Sequence, residues 1–155
     1  VELLFFDIMP HLQEDSMKAI PLILVSLLVA GCSTDVVPLK NAVQAPHERL
    51  YKYQNEGKND ATLTVIRDAG ITGSACYAAV YIDGERVASL ATKEKATFHL
   101  PAGDRAIGAG FEGEFMCNYK TEPQERYINL ESGKSKVVRI FTDYRAQMDI
   151  KATTL

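Results

Sequence analysis

The chain has 155 residues, 46% hydrophobic and 24% charged, with no tryptophan and a formal charge of -3. That length holds one domain of near-average composition, which argues against a multidomain enzyme, a wholly disordered chain or a fibrous repeat. From Cys32 onward nine Lys and seven Arg balance sixteen Asp and Glu, so the body is neutral and offers no electrostatic case for nucleic acid or anionic lipid.

Residues 1–16 hold the excess acidity, as Glu2, Asp7, Glu14 and Asp15. They precede Met17, and Gln13-Glu14-Asp15 can be encoded as CAG-GAG-GAY, which contains the ribosome-binding run AGGAGG. We expect Met17 to be the start and residues 1–16 to be a mistranslated upstream extension. A gene without that purine run would overturn this expectation and leave a genuine N-terminal extension. Residues 17–31 then follow the order of a secretory signal: Lys18, an apolar stretch over 19–30, and small residues at its end. The stretch falls short of the roughly 20 apolar residues of a spanning helix.

Its ending, Val29-Ala30-Gly31-Cys32, resembles the lipobox of bacterial lipoproteins. The resemblance implies that the Cys32 thiol is acylated, that the peptide before it is removed, and that Cys32 becomes the N-terminus. A buried apolar helix with an incidental cysteine is the alternative. Position 33 is Ser rather than Asp, which by similarity to enterobacterial-type lipoproteins implies the outer membrane, facing the periplasm. Acyl chains contribute about 0.8 kcal/mol per buried methylene, so such an anchor needs no amphipathic helix from the body.

Residues 32–60 read as a lipidated N-terminus and tether. Pro38, Asn41, Pro46, Asn55, Gly57, Asn59 and Asp60 punctuate them, and the apolar residues keep no sustained period. A short helix over 47–54 would dock Leu50, Tyr51 and Tyr53 on the domain.

Residues 61–155 read as the folded domain. Leu63 and Val65 alternate with Thr62 and Thr64 over 61–67, the period of a half-buried strand. A β-rich run over 75–82 meets Asp83-Gly84, a two-residue turn of type I′ character, and 86–91 returns antiparallel. Further strands are expected over 96–100, closed by Pro101-Ala102-Gly103, then 105–111, 126–130, 136–142 behind a Ser132-Gly133 turn, and 147–152. Seven or eight short strands at this spacing predict an all-β fold, an antiparallel β-sandwich of immunoglobulin or transthyretin type.

Lipidation would consume Cys32, which leaves Cys76 and Cys117 as an even pair in an exported protein, where disulfides persist. Two separately buried thiols are the alternative, because spacing cannot place two Cα atoms within bonding reach.

The run Val80-Tyr81-Ile82-Asp83-Gly84-Glu85-Arg86-Val87-Ala88-Ser89-Leu90, followed by Phe98-His99-Leu100-Pro101-Ala102-Gly103, is similar to a family of small bacterial lipoproteins that carry a domain of unknown function. It also resembles the surface-layer-type repeat named for its Pro-Glu-Gly-Ala motif. The likeness covers about residues 61–111 and implies a β-sandwich module with no catalytic residue to carry over. Cys76 and Cys117 lie outside the shared pattern.

Gly108-Ala109-Gly110-Phe111-Glu112-Gly113 has the dinucleotide spacing, but no helix can begin there to face a pyrophosphate before Pro123. Glycines at these positions instead fit a bulge or a close strand crossing. No nucleophile elbow occurs, and His47 and His99 are the only histidines after Cys32. Cys76, His99 and Cys117 lack zinc-ligand spacing, so neither a metal nor a cofactor is expected. Glu112, Glu114, Glu122 and Glu125 give one acidic loop, for which solvation is the ordinary role and calcium or a basic partner the alternative. Tyr77, Tyr81, Phe115, Tyr119 and Tyr127 could form a recognition patch beside the cysteines, since loops on rigid sandwiches carry function. The candidate partner-binding loop is therefore Glu112, Glu114, Phe115 and Tyr119. The expected function is a non-enzymatic, lipid-anchored envelope module that contacts an envelope protein, a glycan or peptidoglycan. A periplasmic inhibitor or a secretion-machine accessory lipoprotein is the alternative.

Overall fold

The computed structural model describes residues 34–56, 60–118 and 122–154, all within the unit Cys32–Leu155. The upstream extension, the signal-type segment, Cys32, Ser33 and Tyr119 lie outside the described residues. Among the described residues nine strands form two sheets: β1 (Val43–Gln44), β2 (Ala61–Arg67), β3 (Tyr77–Ile82), β4 (Glu85–Leu90), β5 (Glu94–Leu100), β6 (Gly103–Glu112), β7 (Gln124–Leu130), β8 (Ser135–Thr142) and β9 (Met148–Thr153). One sheet runs β1-β5-β2-β8-β9 and the other β4-β3-β6-β7. The expected all-β sandwich is present.

Alternation builds the core between the sheets. Leu63 and Val65 from β2 meet Val80 and Ile82 from β3, Ile107 from β6, Val138 and Ile140 from β8, and Phe98 and Leu100 from β5. Each of these side chains is buried almost completely. A buried Leu, Ile, Val or Phe contributes roughly 1.5–3 kcal/mol relative to exposure, so this shared layer holds the two sheets together.

The β3–β4 hairpin turns where the sequence predicts. Asp83 and Gly84 both take positive φ, 52° and 79°, the signature of a type I′ turn. Asp83 is further fixed by Arg105 at 3.0 Å and by the Ala106 N–H at 3.0 Å. Pairing is mostly antiparallel, but β2 and β8 lie parallel, with Thr62 opposite Ser135 and Arg67 opposite Ile140. Periodicity reports which face a residue occupies and says nothing of strand direction, so this pair could not be read in advance.

The segment expected to be a tether is laid on the sandwich instead. Asp35 and Ala69 exchange two backbone hydrogen bonds of 2.8 and 3.0 Å. Thr34 Oγ1 donates to the Thr142 carbonyl, and β1 pairs parallel with β5. Val37 and Ala42 cover Ile66 on the outward side of β2, while Ala45 and Leu50 join the main core. A helix over 47–54 does not form; a single 3-10 turn, His47–Arg49, stands there. The segment shows no sustained period because it docks through short bridges and turns rather than a continuous element. Beyond it, the structure places an ion pair, Asp68 with Arg139 at 3.4 Å, almost wholly buried. Asp68 also accepts the Val37 N–H at 3.0 Å, which ties the docked segment to the end of β2.

Candidate functional site

Three connections converge at one end of the sandwich: the β2–β3 loop, the β6–β7 loop and the β8–β9 turn. Between them lies an open groove of about 590 Å³ lined by Ile71, Ala75, Phe111, Met116, Met148 and the Cys76–Cys117 disulfide. Glu122, Gln124, Arg145 and Gln147 supply polar groups along it.

Local chemistry explains why the walls hold their shape. Arg67 ends β2 with its side chain buried, and its guanidinium donates to the Gly73 carbonyl at 2.7 Å, the Leu90 carbonyl at 2.8 Å and the Cys76 carbonyl. Burial pushes its pKa down to about 10, which leaves it cationic at neutral pH. Carbonyl dipoles rather than a carboxylate satisfy it, so the charge serves to pin the β2–β3 loop. Gly73 has φ +70°, and a Cβ there would stand 2.3 Å from the Phe111 ring. Phe111 therefore seats against bare backbone, which joins the β2–β3 loop to the end of β6.

The disulfide fixes the opposite wall. Cys76 and Cys117 are bonded, with Cα atoms 5.3 Å apart, so the pair expected from cysteine arithmetic is formed. Cys117 closes a 3-10 turn, Phe115–Cys117, directly against Gly113, where a Cβ would meet Cys117 Cβ at 2.7 Å. The turn presents Phe115 with φ 51° and 92% exposure, beside Met116 at 79%. Ile71 on the β2–β3 loop is 81% exposed and Tyr144 on the β8–β9 turn 84%. Soluble monomers seldom leave large apolar side chains grouped like this without use.

The residues expected to bind a partner are dispersed. Phe115 is at the tip, and Glu114 is exposed beside it. Glu112 is engaged elsewhere: its carboxylate accepts from Arg86 and from Ser89 Oγ at 2.6 Å on the outer face of the β4-β3-β6 strands. Arg86 in turn lies over the Tyr51 ring at 4.8 Å, and Arg49 over the Tyr77 ring at 4.8 Å. Arg49 also holds Glu94 through two bonds of 2.6 Å. Burial opposes ionisation of Glu94, yet Arg49 and the Ala91 N–H keep its carboxyl below the ordinary range. Those aromatic and arginine residues fasten the docked N-terminal segment rather than offering a free patch. Tyr127 is 82% exposed on β7, away from the groove lining.

Gly108 and Gly110 sit within β6, where a Cβ at Gly108 would lie 3.1 Å from Tyr81 Cβ and one at Gly110 3.6 Å from Pro123. The run serves close strand packing, and a 3-10 turn, not an α-helix, follows it. Among the described residues no three His, Cys, Asp or Glu cluster to hold a metal ion. Sequence reasoning missed Ile71, Met116 and the β8–β9 turn as groove walls. Only Ile71 gave a signal, as a lone large apolar residue in a loop otherwise made of small and polar ones. No family model, curated protein or solved structure matches the chain.

Proposed function

We propose that the protein is a non-enzymatic bacterial envelope lipoprotein, acylated on Cys32 at an outer membrane facing the periplasm, whose sandwich is a binding module. The observation that carries the binding role is the apolar end: a groove of about 590 Å³ walled by a disulfide and by exposed Ile71 and Met116, with exposed Phe115 next to Met116 on the same turn. Pinning by Arg67 and the disulfide preorganises this surface, which lowers the ordering cost of an encounter. The lipobox-like Val29-Ala30-Gly31-Cys32 supports the address. The test is an intact mass, with and without reductant, on protein extracted from bacterial membranes. A species beginning at Cys32 with acyl mass, gaining two hydrogens on reduction, is expected. An unprocessed mass beginning at Val1 would overturn the envelope reading.

A second reading follows from the same tip. Phe115 and Met116 stand out from a disulfide-held turn, the form an inhibitor presents to an enzyme's cleft. A lysozyme activity assay with the purified protein decides that case; unaltered activity removes lysozyme as the target.

A further inference from the structure

We propose that the groove end of the sandwich is a lipid contact surface, seated on the acyl-chain boundary of the membrane that holds Cys32. The inference rests on the reading that Cys32 is acylated and names what then covers the apolar end. Its ground is the length of free chain. Thr34 is already bound to Thr142, and Asp35 to Ala69. Only Ser33 separates Cys32 from Thr34, so their Cα atoms lie at most about 7 Å apart at full extension. Thr142 ends β8 and Ala69 follows β2, so the anchor leaves the body at the end where the groove opens. Strand β2, of seven residues, alone spans roughly 23 Å. The opposite end, with Asp83-Gly84 and Ser132-Gly133, is therefore held well away from the membrane.

The side chains at the near end suit that placement. Val36, next to the first docked residues, is 47% exposed, and Ile71, Phe115, Met116 and Tyr144 are more exposed still. Exposed charges there are mixed in sign, Glu114 and Glu122 against Lys93 and Arg145, so attraction to anionic headgroups does not drive the contact. Apolar side chains reaching into the headgroup boundary do. The occupant is the lipid itself, because a linker this short leaves no room for a protein partner to stand between this end and the leaflet.

The absence of tryptophan makes a direct test available. Full-length protein carrying Phe115→Trp is expressed in bacteria, extracted in its acylated form, checked by intact mass and reconstituted into phosphatidylcholine vesicles with or without brominated chains. Ile71→Trp reports from the other wall, and Ala102→Trp, exposed at the far end, is the control. A ring inserted roughly 5–10 Å into the boundary should shift its emission to the blue and lose about half of it to brominated chains. High salt should not reverse the effect, and Ala102→Trp should be unaffected. Acylated protein whose Trp at 115 and 71 stays unquenched would overturn the lipid surface while leaving the anchor intact. A mass without acyl chains would overturn both.

Discussion

Removing the disulfide offers the sharpest quantitative check on how the groove end is held. The perturbation is the double variant Cys76→Ala, Cys117→Ala. The two cysteines are 41 residues apart, and the chain-entropy relation gives a loss of about 4 kcal/mol for a loop of that length. Both cysteines are half-buried, so the packing lost with the sulfurs is a small addition. For a folded body of about 120 residues the unfolding entropy is near 0.25 kcal/mol per degree, so the midpoint should fall by roughly 16 °C. Thermal melts followed by circular dichroism, with urea titrations for the slope, would measure this. Reduction of the parent protein should reproduce the loss. A fall of less than about 4 °C, corresponding to roughly 1 kcal/mol, would refute the reasoning. It would mean that the unfolded chain already keeps these segments together, or that the bridge is not formed.

Further outcomes follow from the same geometry. Gly73→Ala should destabilise by about 1–3 kcal/mol in urea titration, because its Cβ would strike Phe111 from a backbone with φ +70°. Arg67→Met should cost about 3 kcal/mol or more, since it strips the carbonyls of Gly73, Cys76 and Leu90 of a donor. Proteolysis should then cut the β2–β3 loop first. Glu94 is held below its ordinary 4.5, so it binds fewer protons folded than unfolded. Its stabilising effect is present above pH 4.5 and is lost as pH falls through the folded value. Glu94→Gln should accordingly flatten the acid side of the stability profile, and an unchanged slope between pH 5 and 3 would count against the Arg49 pair.

How far the fold could be read depended on whether a residue's role was local. The alternation of Leu63 and Val65 against Thr62 and Thr64 follows from the pleat alone, and β2 has the predicted bounds. Asp83-Gly84 is equally local, because only its own two φ values decide the turn. Cys76 and Cys117 were legible as a pair, though their approach is a property of the folded chain. The docked segment was not legible: Val37 and Ala42 bury against Ile66, a neighbour distant in sequence, and no periodicity announces that. Ile66 itself hinted at it, as an apolar residue on the face that Thr62 and Thr64 share. The groove was legible only as the loop bearing Phe115. Its other wall depends on Arg67 drawing the loop carbonyl of Gly73 inward, and Glu112 was drawn away by Arg86 across strands.

The parallel contact between β2 and β8 constrains how the protein can be made. Thr62 must find Ser135, 73 positions later in the chain, so the middle of the larger sheet closes only after the whole second sheet has been synthesised. Contacts this distant carry a large loop-closure cost and slow folding. Until β8 arrives, one edge of β2 has unpaired N–H and C=O groups beside Leu63, Val65 and Ile66, an edge on which another unfinished copy can pair. The chain is therefore most vulnerable late in its emergence, and the yield of folded protein should depend more on the speed of that last closure than on the stability of the finished sandwich.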